Sequence, residues 1–194
     1  MPEWWSVLAL NVLHLTEGEH EMLLDNLSDL FQRGLEYSWD CERLLIKDLP
    51  KMVEAASSQE LKHMLDLHLV AAKTHVYRLE QIFTRLDRAP AAEKSEPARI
   101  IMDECLRMIS HLERSPLLDA ALIFSGNQIE HYEISLYGSL SAFARALGFE
   151  EVARLLDDSL AEEKAADHAL TRLAENSVNA AATVVHNPPP FALI

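Results

Sequence analysis

The stretch from Asp119 to Leu140, DAALIFSGNQIEHYEISLYGSL, sets an ionisable group inside an apolar helical stripe. At steps of three and four, Leu122, Gly126, Ile129, Glu133, Leu136, Leu140, Phe143 and Leu147 fall on one face, the period of an amphipathic helix. Glu133 interrupts that face midway. Glu130 stands one turn earlier, so the two carboxylates can converge on one point beside the stripe. A carboxylate buried there requires a proton, a cation or a metal, and the rest of the chain has to supply the surroundings that meet this requirement.

Other segments repeat the pattern. Leu27, Phe31, Leu35, Ser38, Glu42, Leu45, Leu49 and Met52 predict a helix over 27–56, with Pro50 expected to kink or divide it. Ser57 followed by Glu60 has the spacing of a capping box and opens a second helix to about Asp87. Its stripe is Leu61, Leu65, His68, Ala72, His75, Leu79, Ile82 and Leu86. Residues 88–97, RAPAAEKSEP, lack periodicity and predict a loop, followed by a shorter helix over about 98–113. Ser115 and Pro116 start the helix that contains Glu133, and Gly148 ends it. The last helix, about 150–175, carries Val152, Leu156, Ser159, Glu163, Asp167, Leu170 and Ala174 on its inward face.

These segments divide the chain into an N-terminal apolar arm over 1–26, expected to be helical, a helical bundle over 27–176, and a C-terminal proline-rich tail over 177–194. Five glycines and few β-branched runs argue against a sheet, so the expected class is all-α. The net charge of −14, with no Lys/Arg cluster, opposes binding to nucleic acid or to an anionic membrane surface. The apolar run at the start lacks a basic n-region and falls short of the roughly 20 residues that cross a bilayer. Cys41 and Cys105 match no zinc pattern and read as reduced, structural thiols. The expected compartment is the cytoplasm.

Four long helices with a potential ligand near the middle of each inward stripe are the material of a four-helix bundle with a metal site. Glu42, His68 or His75, Glu130 with Glu133, and Glu163 with Asp167 fall in one layer on this reading. Oxygen and nitrogen donors of this kind suit iron or manganese. A second reading pairs Glu42 and Glu133 with Arg78 or a lysine as buried ion pairs, leaves the histidines as hydrogen-bonded core residues, and leaves Asp167 in a solvated acidic face with Asp157, Asp158 and Glu162. Tyr132 and Tyr137 are read as packing residues.

Five pieces carry a family resemblance: Leu49-Pro-Lys-Met52 with Ala55-Ala-Ser-Ser58, Arg78-Leu-Glu-Gln-Ile-Phe83, Asp119-Ala-Ala-Leu-Ile123, Ile129-Glu-His-Tyr-Glu-Ile134 with Tyr137-Gly138, and Glu162-Glu-Lys-Ala-Ala-Asp167. Over about residues 27–176 the chain resembles the YciE/YciF family of ferritin-like proteins. The resemblance implies a ferritin-like four-helix bundle with an extra short helix, usually a homodimer, associated with bacterial stress responses and thought to bind iron, without a defined reaction.

Matched position by position, the resemblance implies metal ligation by Glu42, His75, Glu130, Glu133, Glu163 and Asp167. The second helix departs: His68-Leu-Val-Ala-Ala72 stands where relatives have His-Leu-Glu-Glu-Thr, so the carboxylate expected at Ala71 is missing. A partial site with one metal, or none, follows from that departure. The competing expectation is a metal-free, degenerate bundle acting as a structural or interaction module, with a protein partner engaged through the N-terminal arm.

Overall fold

The computed structural model describes residues 24–90 and 93–184. Its elements in chain order are α1 (Leu27–Ala55), α2 (Gln59–Arg85), α3 (Glu96–His111), α4 (Pro116–Ala146), α5 (Glu150–Leu173), a π-helical turn (Ala174–Val178) and α6 (Asn179–Val184). No strand occurs among the described residues. The expected N-terminal arm, apart from its last three residues, and the proline run of the tail lie outside them. Helical structure continues to Val184, past the bundle limit of 176 expected from sequence.

Local chemistry sets the ends. Asn26 caps α1 by accepting from the Asp29 amide at 3.1 Å, and Ser115 caps α4 ahead of Pro116. Gly148, at φ +82°, ends α4 with the Phe149 amide donating back to the Ala144 carbonyl at 2.8 Å. Asp87, at φ 54°, does the same for α2, where Arg88 N–H reaches the Phe83 carbonyl at 2.9 Å.

Two local expectations differ from the structure. Pro50 does not divide α1, which runs on to Ala55. The proline costs about 3 kcal/mol, but Leu45, Leu49 and Met52 are buried on either side of it, at roughly 1.5–3 kcal/mol each. The cap of α2 is Ser58 rather than Ser57. Buried Asp119 takes Ser57 away, accepting from its amide at 2.6 Å and its hydroxyl at 2.5 Å, and accepting from the Ser58 amide at 3.0 Å.

Those contacts also fix the topology. The end of α1 meets the start of α4 at Asp119, while Phe31 and Leu35 from the start of α1 share an apolar cluster with Leu140 and Ala144 from the end of α4. Helices α1 and α4 are therefore antiparallel. The short α1–α2 and α4–α5 connections make each of those pairs antiparallel too. One long crossover, containing α3, joins the two hairpins as in ferritin-like bundles. Asp40 anchors the crossover by accepting from the Ser95 amide at 2.8 Å and from Arg99 at 2.8 Å, and α3 buries Ala98, Met102 and Cys105 against the bundle.

Two apolar clusters fill the interior. One holds Leu45, Leu49, Leu61, Leu65, Leu122, Ile129 and Leu170; the other holds Phe31, Leu79, Ile82, Tyr137, Leu140, Val152 and Leu156. The ionisable residues of the stripes lie between them along each helix. The inward face of α4 turns by one position beyond Glu133: Tyr137, Leu140 and Ala144 are buried there, whereas Leu136, Phe143 and Leu147 are half-buried. The described helices include none long and apolar enough to cross a membrane.

Candidate metal centre

Six side chains from four helices meet in the layer between the apolar clusters. His68, Glu130, Glu133 and Glu163 form one group, and Glu42, His75 and Glu163 a second, with the potential ligand atoms of each group within 4.8 Å of one another. Glu163 belongs to both. Glu42 comes from α1, the histidines from α2, Glu130 and Glu133 from α4, and Glu163 from α5. Two turns of α2 separate His68 from His75, which places one imidazole in each group.

All six are buried, and among the described residues none of the four carboxylates pairs with a lysine or arginine. The ion-pair reading is therefore not what the structure holds. Arg78, the cation it invoked, points outward to Glu162 instead, with guanidinium–carboxylate distances of 2.6 and 2.7 Å.

The contacts inside the layer are dense but poorly satisfied. His68 Nδ1 lies 2.7 Å from Glu130 Oε1, and His68 Nε2 lies 3.9 Å from Glu133 and 3.8 Å from Glu163. His75 Nδ1 faces two oxygens, Glu42 Oε1 at 3.0 Å and Glu163 Oε1 at 2.7 Å. One ring proton cannot serve both. Glu42 Oε2, His68 Nε2, both Glu130 oxygens, Glu133 Oε2 and Glu163 Oε1 make no aligned hydrogen bond, a concentration of unpaired buried atoms that native interiors avoid.

Proton affinities in the layer follow from burial and from this crowding. Burial opposes charge on His68, but the Glu130 carboxylate outweighs it and pushes the imidazole up to about 9. His75 is pushed up to about 11, where burial is outweighed by its contacts with Glu163 and Glu42. Burial lifts Glu130 to about 8 despite the opposing His68 charge. Glu133 is raised well above the carboxylate range by burial and then by the charges of Glu42, Glu163 and Glu130. Glu163 is lowered because its histidine contacts outweigh burial.

Around these six stands a supporting shell. Tyr137 donates its hydroxyl to Glu42 Oε1 at 2.5 Å, and the Cys41 thiol lies 3.7 Å from Glu133 Oε1. Glu162 Oε2 lies 2.7 Å from His75 Nε2 and is itself held by Arg78. A carboxylate on the far nitrogen of an imidazole fixes its orientation and leaves the near nitrogen to a ligand.

Five of the six site residues expected from sequence, Glu42, His75, Glu130, Glu133 and Glu163, are brought together. Asp167 is not: it belongs to neither group, and its Oδ1 lies 3.2 Å from the exposed His131. The inward face of α5 passes from Glu163 to Leu170 and leaves Asp167 at the margin. His68, which the sequence left open beside His75, is in the cluster. Tyr137, read from sequence as a packing residue, and Glu162, read as part of a solvated acidic face, instead contact Glu42 and His75; the four-residue spacing of Tyr137 from Glu133 was the signal for the first, and no local signal marked the second. Ala71 is half-buried and supplies no donor.

The donor set fits iron or manganese. Four carboxylates and two imidazoles from Glu42, Glu130, Glu133, Glu163, His68 and His75 equal the ligand inventory of ferritin-like dinuclear sites, although both histidines here come from one helix. The carboxylate missing at Ala71 is thus not missing from the total.

A family model described as "Domain of unknown function (DUF892)" matches residues 26–183. Protein YciF of Escherichia coli is 32% identical over 159 residues, 81% of this chain and 96% of that protein. The crystal structure of the E. coli stress protein YciF superposes with a TM-score of 0.77 at 32% identity, covering 80% of this chain and 99% of that one. A structure of YcfI from Rhodopseudomonas palustris gives 0.74 at 31% identity, covering 79% and 96%. With the bundle, its crossover and these matches spanning nearly the whole of the relatives, the chain belongs to the DUF892 family of YciE/YciF-like helical proteins.

Proposed function

We propose that this protein is a stress-associated ferritin-like bundle that holds two iron or manganese ions in its core, one in each donor group, with Glu163 shared between them. One observation carries the reading: four buried carboxylates with no lysine or arginine among their described partners, and six donor atoms without aligned hydrogen bonds. Buried anions at this density require cations, and four carboxylates balance two divalent ions. Bound iron or manganese would supply one-electron chemistry toward oxygen species.

The chain's own part is to position and to exchange protons. His75 presents Nδ1 to the layer while Glu162 holds Nε2, and Tyr137 fixes one oxygen of Glu42. Protons held on the two histidines and on Glu130 and Glu133 must leave as cations enter, so affinity rises with pH.

Those same protons favour a second reading, the metal-free interaction module, because they neutralise the layer without any ion. Titration of chelator-stripped protein with Mn²⁺ or anaerobic Fe²⁺ separates the two. The metal reading expects uptake of about two ions per chain with release of on the order of two or more protons, and a clear loss of uptake in Glu133→Gln, which keeps shape but removes charge. Heat of dilution alone, or equal uptake by Glu133→Gln, favours the metal-free module.

A further inference from the structure

Beside the donor layer, the seam between α2 and α5 is built from small side chains. Ala71, Ala166 and Ala169, together with Met64, Leu67 and Leu170, line a cleft of about 260 Å³. Its direction is set by exposure: Leu67 at 55% marks the outer end, while His68 at 7% and Glu130 at 0% mark the inner end. His68, whose Nε2 is buried and without a hydrogen-bond partner, lines that inner end. Small residues alone would be only a thin wall. Here they lead from solvent to an unsatisfied donor in the candidate metal centre.

The walls decide what fits. A cavity of about 150 Å³ accepts benzene, so this one accommodates a slightly larger molecule. Apolar walls penalise a charged body. Glu130 at the inner end and the partly exposed Glu162 are the acidic groups of the lining, which holds no lysine or arginine to draw an anion. What remains is an uncharged molecule with an apolar body and one hydroxyl.

We propose that this cleft is the access and binding site for a small uncharged alcohol of about phenol's size, held with its hydroxyl toward His68 and Glu130. Its role as a ligand of the metal centre rests on the function proposed above; its capacity to bind does not. The absent carboxylate at position 71 then has a physical consequence, because a longer side chain there would fill the cleft.

The test uses full-length, chelator-stripped protein and phenol itself, read by NMR of the methionine methyl groups. Met64 lines the cleft, whereas Met52 and Met102 lie in the apolar core. The expected result is a saturable shift at Met64, absent at Met52 and Met102, and weakened by about tenfold or more in Ala71→Leu and in Ala169→Leu. The two substitutions approach the cleft from different helices, and neither removes a donor, so metal uptake should be unchanged in both. No saturable shift at Met64, or a shift undiminished in a folded Ala71→Leu or Ala169→Leu, overturns the cleft while leaving the metal reading standing. Phenol binding by a chain that takes up no metal overturns the metal reading, and with it the role assigned to the ligand.

Discussion

Removing metal should make the stability of this protein fall as pH rises, and the size of the fall follows from the buried layer. His68 moves from 6.5 up to about 9, His75 from 6.5 up to about 11, and Glu130 from 4.5 up to about 8. For each, the folded chain holds a proton that the unfolded chain has released near pH 7, and stability is lost as pH climbs through the folded value. Glu163 and Glu162 are lowered and ionised in both states there, so they add no slope in this window. His68 and Glu130 face each other and titrate as a pair. Counting that pair as one excess proton, His75 as a second and Glu133, raised well above the carboxylate range, as a third, at about 1.4 kcal/mol per proton per pH unit, gives a loss of roughly 4 kcal/mol per pH unit between about pH 7 and 8. Urea denaturation of chelator-stripped protein across that interval measures it. The same experiment with excess Mn²⁺ should show stability level or rising with pH, because fewer protons compete for the ligands. A metal-free chain that gains stability over this interval would refute the charge state assigned to the layer.

Three further outcomes follow from named contacts. Asp119→Ala removes the acceptor for the Ser57 and Ser58 amides and the Ser57 hydroxyl; a loss of about 3 kcal/mol in denaturation with unchanged metal content is expected. Tyr137→Phe strips Glu42 of its buried donor, so the metal-free protein should lose about 2 kcal/mol while the fold persists by circular dichroism. Ala71→Glu should leave metal stoichiometry where it is, since the donor total is already met without that position, and elemental analysis would expose any gain.

Much of the architecture was legible because the apolar positions keep a helical period on every long segment, and burial enforces that period. Leu61, Leu65, His68, Ala72, His75, Leu79 and Ile82 are buried as their spacing requires. The layer was legible for the same reason, since Glu42, Glu133 and Glu163 interrupt stripes that are otherwise apolar. What spacing could not resolve was the rotation of each helix over many turns. A helix of 3.6 residues per turn drifts against any fixed three-four pattern, so α4 turned Tyr137 inward in place of Leu136, and α5 left Asp167 at the margin. Choices between neighbours depended on contacts distant in sequence. Ser57 yielded the cap of α2 to Ser58 because Asp119 claimed it, and Glu162 became a partner of His75 only because α2 and α5 lie side by side. The resemblance to YciE/YciF proteins implied the ferritin-like bundle with its extra short helix; the sequence of α2, with Ala71 in place of a carboxylate, argued for a partial site, and spacing alone could not place His68 in the layer as the structure does.

The most direct measurement is anomalous diffraction at the manganese edge from crystals of the chain grown with Mn²⁺. Two anomalous peaks are expected, one among His68, Glu130, Glu133 and Glu163 and the other among Glu42, His75 and Glu163. No peak in the layer in metal-saturated crystals, with the histidines still turned to their carboxylate partners, would contradict the metal reading.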